Sequence, residues 1–285
     1  MTIQEGTFYL LNHLRNIYPE GEASNITDWI MEHLTGSKKA ERMIYKNSSI
    51  TVGEEKKLLH YTERLLQYEP IQYVLNEAWF YGMKFFVDKN VLIPRPETEE
   101  LVEWVVREVR SQELGSKKIL DIGTGSGCIA IALKNKLPHT EVWACDMSDG
   151  ALTVGRKNAD DLNALIDFVP IDILDRKQWK QLPDFDIIIS NPPYIPEKDK
   201  GPMKPNVVNY EPHSALFVQD DNALVFYEAI ADFGKKHLHK KGEIFVETNE
   251  NLGKEVVELF ESKGYSTELR KDMQGKDRMV KAILT

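Results

Sequence analysis

The sequence has few cysteines and no long apolar run. Of its 285 residues only Cys128 and Cys145 are cysteine, too few for a disulfide framework or a zinc cluster, and both lie in apolar stretches typical of buried thiols. No run of about 18 apolar residues occurs, so no membrane-spanning helix is expected. The N-terminus holds Gln4 and Glu5 where a secretory leader would be basic and then apolar. We therefore expect a cytoplasmic protein that contacts no membrane and holds no metal.

Basic residues are also fewer than acidic ones. Lys and Arg number 36 against 45 Asp and Glu, which gives a formal net charge of −9 at pH 7. Because binding to many phosphates usually needs a basic face, the composition argues against a nucleic acid as a direct partner. With 42% hydrophobic residues, the chain can bury a full core and has room for a second, smaller domain.

The apolar pattern changes twice along the chain. Between Thr7 and about Gln67 apolar residues recur at helical spacing, whereas Ala78–Ile93 holds three apolar clusters separated by turn residues, a pattern that favours a β-hairpin. After Pro96 the pattern alternates between strands and helices. The predicted domains are a helical N-terminal domain at 1–76, a β-hairpin linker at 77–95 and a third domain at 96–285.

The alternating pattern of the third domain predicts an α/β fold. Its predicted strands are 117–122, 141–145, 164–169, 185–190, 243–247, 266–270 and 279–284. Its predicted helices are 97–110, 128–136, 149–162, 221–238 and 252–263. Strands that alternate with helices form a parallel sheet covered on both faces, and the last two strands predict a terminal hairpin.

A glycine-rich turn predicts the binding site of a nucleoside cofactor. Asp121 to Gly127 joins a buried strand to three glycines, which let the backbone approach a ligand closely. The Gly-x-Gly-x-Gly spacing differs from the dinucleotide fingerprint and favours S-adenosylmethionine. Asp146 ends the next predicted strand, where its carboxylate can accept both ribose hydroxyls. Asp172 is expected to bond the adenine amino group and Ile173 to pack on the ring; a solvated loop acid beside a core residue is the alternative.

Asn191-Pro192-Pro193-Tyr194 follows the strand at 185–190, at the sheet edge where open α/β folds bind ligands. A conjugated NH2 group is a poor nucleophile and must be held in position for methyl transfer. The Asn191 side-chain oxygen and the Pro192 carbonyl can each accept one of its N–H groups, and Tyr194 can cover its flat face. No general base is required, because the methylated cation sheds its proton readily. A rigid turn around a buried Tyr is the alternative.

Several segments together resemble the release factor glutamine methyltransferase family, known as PrmC or HemK. They are Pro70–Leu75, Ile93–Glu99, Asp121–Gly127, Asn191–Tyr194, Tyr210–Phe217 and Asp272–Arg278. The tetrapeptide alone is shared with adenine-N6 DNA methyltransferases, whereas the segments at 93–99 and 210–217 are more particular to this family.

The resemblance implies a Rossmann-like class I methyltransferase sheet of seven strands, the last one antiparallel. It implies methylation of the side-chain nitrogen N5 of the glutamine in the Gly-Gly-Gln motif of class I peptide chain release factors, by a monomer whose helical domain helps to bind that protein. S-adenosyl-L-methionine would be the donor and S-adenosyl-L-homocysteine the product. The expected cofactor residues are Gly123, Thr124, Gly125, Ser126, Gly127, Asp146, Asp172, Ile173 and Asn191. The expected catalytic residues are Asn191, Pro192 and Tyr194, and Pro193 and Arg95 join them in binding the substrate.

Some residues allow more than one interpretation. Glu97 or Thr98 could merely cap the helix that follows, and Glu211 and His213 are more often structural than catalytic beside a proline. At Glu247–Asn251 the sequence differs from the Glu-Ile-Gly that relatives tend to carry. Details of the surface that would contact a release factor are therefore in doubt. An adenine-N6 nucleic-acid methyltransferase and a non-catalytic adenosyl-binding protein remain the alternative functions.

Overall fold

The computed structural model describes residues 1–111 and 117–284. Residue 285, at which the predicted third domain ends, lies outside the described residues. The chain divides into two compact units, Met1–Glu77 with Lys204–Tyr210 and Ala78–Met203 with Glu211–Thr285. The three-domain boundaries drawn from the sequence stay a prediction.

The first unit is helical, as predicted. Its helices are α1 (Ile3–Leu14), α2 (Glu20–Thr35), α3 (Lys39–Ile44), α4 (Val52–Leu66), α5 (Ile71–Leu75) and, from the later segment, α9 (Pro205–Val208). The hydroxyls of Thr2 and Thr51 cap α1 and α4, and a glutamate three residues on closes each capping box. Apolar residues at helical spacing, such as Leu10, Leu14 and Ile30, then pack into one buried cluster.

The second unit begins with the predicted hairpin, which is shorter than the sequence suggested. Strands β1 (Ala78–Phe80) and β2 (Met83–Phe85) pair antiparallel around Tyr81 and Gly82, whose φ angles of 52° and 74° suit a tight two-residue turn. The third apolar cluster, Val91–Ile93, forms no strand. Val91 and Ile93 are buried from irregular backbone, so their apolar character reflects burial and not strand pairing.

A seven-stranded sheet forms the centre of the second unit. Its strands are β3 (Lys118–Ile122), β4 (Glu141–Asp146), β5 (Asp167–Pro170), β6 (Phe185–Ser190), β9 (Leu238–Glu247), β10 (Tyr265–Lys271) and β11 (Asp277–Leu284). The order is β10-β11-β9-β6-β3-β4-β5, and β11 is antiparallel to both of its neighbours. Both the predicted number of strands and the antiparallel last strand are confirmed. Two short strands, β7 (Ile195–Pro196) and β8 (Phe217–Val218), pair separately.

Helices cover both faces of this sheet. They are α6 (Pro96–Ser111), α7 (Cys128–Lys136), α8 (Asp149–Asp161), α11 (Val225–His237) and α12 (Gly253–Ser262). A short helix, α10 (His213–Leu216), directly precedes β8. Ile187 and Ile189 of β6 join the buried cluster that contains α6 and α7, and Ile188 joins the cluster that contains α11 and α12. A strand buried on both faces therefore has a continuous apolar sequence. Both cysteines are buried, as expected.

The chain order places the functional motifs side by side. From β3 the chain runs outward through β4 and β5 and then returns to the other side of β3 as β6. Where the strand order reverses in this way, the loops after the two central strands separate and leave a crevice at their carboxyl ends. The glycine turn follows β3 and Asn191 follows β6, so both motifs border this crevice.

Candidate active site

A cavity opens at the carboxyl edge of the sheet, with about 800 Å³ of free space including its mouth. Eight of the residues singled out in the sequence line it: Gly123, Gly125, Asp146, Asp172, Ile173, Asn191, Pro192 and Pro193. The cavity wall also contains Asn90–Leu92, to which the sequence analysis gave no role, and Pro212, Ser214 and Ala215, which it named only as part of the family segment at 210–217. These residues lie outside the sheet, and no spacing rule links them to the glycine turn.

The glycine turn is held against Asp146. Gly123, Gly125 and Gly127 have φ angles of 72°, 55° and 79°, a left-handed conformation that favours glycine. The backbone N–H of Gly125 donates to Asp146 Oδ2 and that of Ser148 to Oδ1, each at 2.9 Å. Burial raises the pKa of Asp146, and these N–H groups oppose the rise. Each carboxylate oxygen can still accept a further bond from a ligand.

Asp121 is a buried carboxyl group beneath this turn. Thr124 Oγ1 donates to its Oδ2 at 2.6 Å, and the Ala130 N–H donates to the same oxygen at 3.3 Å. The other oxygen, Oδ1, has no hydrogen-bond partner within the described part of the chain. Burial raises the pKa of Asp121 to about 7. Asp121 is not among the described residues that line the cavity, so the structure gives it a place beneath the glycine turn and no direct contact with a ligand.

Thr124, Ser126 and Gly127 were predicted to bind the cofactor, but none of them is among the described residues that line the cavity. Their contacts shape the glycine turn instead. Thr124 bonds Asp121, and the Ser126 carbonyl accepts the Asn158 amide at 2.9 Å. A Cβ at Gly127 would lie 3.1 Å from Ile131 Cδ1, so glycine lets the turn pack closely on α7. Their direct contact with a cofactor stays a prediction.

Asn191 and Tyr194 are linked through a buried glutamate. Asn191 Nδ2 donates to Thr98 Oγ1 at 3.1 Å, and Thr98 Oγ1 donates to Glu247 Oε2 at 2.6 Å. Tyr194 OH donates to Glu247 Oε1 at 3.1 Å. Burial raises the pKa of both Glu247 and Tyr194. Tyr194 packs against the apolar core beside the cavity, so its cover of an acceptor stays a prediction.

Arg95 and Glu211 form an ion pair close in the chain to Leu92 and Pro212, which line the cavity. Arg95 Nη2 lies 2.5 Å from Glu211 Oε1, and the Ile93 N–H donates to Oε2 at 3.1 Å. Glu211 is buried and joins the loop before α6 to the segment before α10. His213 is exposed and lies edge-on to Phe217. Glu211 therefore has a structural contact, and the predicted contact of Arg95 with substrate remains a prediction.

Residues 1–111 and 117–284 contain no group of three or more His, Cys, Asp or Glu side chains placed to hold a metal ion. Nor does any helix in those ranges combine the length and apolar character needed to cross a membrane.

Comparison with known proteins gives concordant matches. Residues 101–208 match the family described as Methyltransferase small domain, and residues 10–75 match the PrmC N-terminal domain. The chain is 41% identical over 286 residues to the release factor glutamine methyltransferase of Flavobacterium psychrophilum, covering 99% of both chains. It is 38% identical to that of Bacteroides thetaiotaomicron over 97% of this chain and 98% of the other. A crystal structure of a methyltransferase from Pyrococcus furiosus shares the fold, with a TM-score of 0.51 at 17% identity, covering 82% of this chain and 98% of that one.

Proposed function

Because the chain belongs to the release factor glutamine methyltransferase family, we propose that it methylates N5 of the glutamine in the Gly-Gly-Gln motif of class I peptide chain release factors. We further propose S-adenosyl-L-methionine as its methyl donor. The observation that carries the proposal is the position of Asn191. Its amide nitrogen is engaged by Thr98, which leaves its oxygen available at the cavity for the N–H of an acceptor.

The cavity fits an adenosyl cofactor. Gly123 and Gly125 present backbone without side chains, and Asp146 offers a fixed carboxylate for ribose hydroxyls. Asp172 and Ile173 lie together on the wall, in keeping with adenine recognition. When bound, S-adenosyl-L-methionine supplies an electrophilic methyl group, and S-adenosyl-L-homocysteine is the product.

The acceptor must be held because the lone pair of an amide nitrogen is delocalised into its carbonyl. Asn191 and Pro192 line the cavity. In this proposal the Asn191 side-chain oxygen and the Pro192 carbonyl each accept one N–H of the glutamine amide. Hydrogen bonds to both hold the nitrogen in place and stabilise the positive charge that develops on it. The proton leaves after methyl transfer, so the chain needs no general base.

The substrate is a protein in this proposal. The helical unit, which contains the match to the PrmC N-terminal domain, would help to bind the release factor. A net charge of −9 disfavours direct binding to nucleic acid. We propose that the enzyme acts in the cytoplasm as a monomer.

Methyl transfer to three acceptors tests the proposal against its rivals. Purified protein and labelled S-adenosyl-L-methionine are incubated with a class I release factor, with the same factor carrying Ala in place of the Gly-Gly-Gln glutamine, and with duplex DNA. Label on the intact factor alone is the expected result. Label on DNA would instead support the adenine methyltransferase, and cofactor binding without label on any acceptor would support a non-catalytic adenosyl-binding protein.

A further inference from the structure

We propose that Thr98 and Glu247 are positioning residues that fix the amide of Asn191 so that its oxygen, and not its NH2 group, faces the acceptor nitrogen. This inference deepens the proposed function and rests on it. Thr98 lies in the first turn of α6 and Glu247 at the end of β9, and both side chains are buried.

The single proton of the Thr98 hydroxyl determines the direction of the chain of hydrogen bonds. Thr98 Oγ1 lies 2.6 Å from Glu247 Oε2 and 3.1 Å from Asn191 Nδ2. Both Glu247 side-chain oxygens accept hydroxyl protons, Oε2 from Thr98 and Oε1 from Tyr194, so the Thr98 proton points to Glu247 and Oγ1 accepts a hydrogen bond from Asn191. Only the NH2 end of the Asn191 amide can make that bond. A flipped amide would bring two oxygens together without a proton between them.

The same carboxylate holds the other end of the tetrapeptide. Tyr194 OH donates to Glu247 Oε1 at 3.1 Å, so one glutamate orients Asn191 through Thr98 and Tyr194 directly. The strand end that carries Glu247 is also held, because Tyr227 OH donates to the Glu247 carbonyl at 3.0 Å and Arg278 Nη1 to the Thr248 carbonyl at 3.3 Å. Glu247 is only 2% exposed, so water competes little for these bonds.

The orientation matters because the proposed acceptor presents N–H groups. With its oxygen toward the acceptor, Asn191 accepts one of them; with its NH2 group there, two donors would face each other and the bond would be lost. Neither Thr98 nor Glu247 is among the described residues that line the cavity. Loss of their bonds should therefore lower the rate of transfer and leave cofactor binding largely intact.

Thr98→Val tests the inference, because it removes the hydroxyl at nearly constant shape, and Thr98→Ser is the matched control that retains it. We expect kcat of Thr98→Val to fall about 10- to 100-fold, the range seen when supporting hydrogen bonds of a site are lost. KM for the release factor and Kd for S-adenosyl-L-methionine should stay close to the parental values. Thr98→Ser should keep most of the activity. Thermal unfolding checks the fold, and Thr98→Ala replaces Thr98→Val if the latter does not fold.

A double variant tests whether Glu247 acts through Thr98. In Glu247→Leu the Thr98 proton loses its carboxylate and is free to point at Asn191, which favours the flipped amide. Removing the hydroxyl as well should then cause no further loss of kcat, so Thr98→Val/Glu247→Leu should be no slower than Glu247→Leu alone. If Thr98 and Glu247 acted independently, the fold losses of kcat in the two single variants would multiply in the double variant.

The outcomes separate this inference from the proposed function. If the parental enzyme methylates the release factor but Thr98→Val keeps the parental kcat, the positioning role is wrong and the function stands. Equal losses in Thr98→Val and Thr98→Ser, or multiplied losses in the double variant, would also overturn it. A parental enzyme that transfers no methyl group to the factor would contradict the proposed function itself.

Discussion

Three acidic side chains organise the site at the scale of single residues, each in a different way. Asp146 is bonded to two backbone N–H groups beside the glycine turn, Asp121 keeps one oxygen unpaired beneath it, and Glu247 accepts the hydroxyls of Thr98 and Tyr194. Burial raises the pKa of all three. Their environments therefore predict separate effects on cofactor binding, stability and turnover.

Asp146→Ala and Tyr194→Ala should separate cofactor binding from turnover. Loss of the Asp146 carboxylate removes hydrogen bonds to a charged group, so Kd for S-adenosyl-L-methionine should rise by about 10- to 100-fold in calorimetry. Tyr194→Ala should mainly lower kcat. Asp149→Ala, which changes an exposed acid in the first turn of α8, is the control and should leave both unchanged. Parental cofactor affinity in Asp146→Ala, or a parental rate in Tyr194→Ala, would contradict these assignments.

Asp121 should make the cofactor-free protein less stable as the pH rises. Its pKa increases from 3.8 to about 7 on folding, so the folded state favours the neutral carboxyl. The stabilisation from this group is fully present below about pH 4 and is lost as the pH rises to about 7. Between pH 5 and pH 8 the parental protein should lose about 3 kcal/mol more unfolding free energy than Asp121→Asn. Urea unfolding measures both, and parallel pH profiles would refute the prediction.

At the scale of secondary structure, apolar periodicity predicted the sheet well and its borders less well. Each predicted strand of the sheet is present, because a run such as Ile187–Ile189 is buried on both faces. The helix predicted from residue 221 begins instead at Val225, after a turn in which the Asn222 N–H bonds the Gln219 carbonyl. Val91 and Ile93 are buried although they belong to no strand. An apolar segment indicates burial, whereas backbone hydrogen bonds to a neighbouring strand decide whether that segment is a strand.

The loop before α6 and the segment before α10 should open together when Glu211 is changed. Glu211→Gln removes the charge that holds Arg95 and weakens the bond to the Ile93 N–H. We expect faster amide hydrogen exchange at Ile93 and weaker cofactor binding, because Asn90–Leu92 and Pro212 line one cavity. The exposed Glu197→Gln is the control. Unchanged exchange at Ile93 in Glu211→Gln would show that this ion pair does not hold the loop.

At the scale of the whole molecule, the sequence identified the parts of the site that are contiguous in the chain. The glycine turn and the Asn-Pro-Pro-Tyr tetrapeptide each follow a strand, so their place at the sheet edge could be predicted. The bond between Thr98 and Glu247 joins residues 149 positions apart. Only the packing of α6 beside β9 brings them together, and Thr98 therefore looked like a helix cap in the sequence.

The central claim is that a glutamine side-chain nitrogen receives the methyl group. The most direct test is peptide mass spectrometry of a class I release factor after incubation with the enzyme and S-adenosyl-L-methionine, followed by acid hydrolysis of the modified peptide. The account predicts one added methyl group on the Gly-Gly-Gln glutamine and release of methylamine, because hydrolysis of an N-methylated amide frees that amine. A methyl group on any other residue, or methanol from a methyl ester, would contradict it.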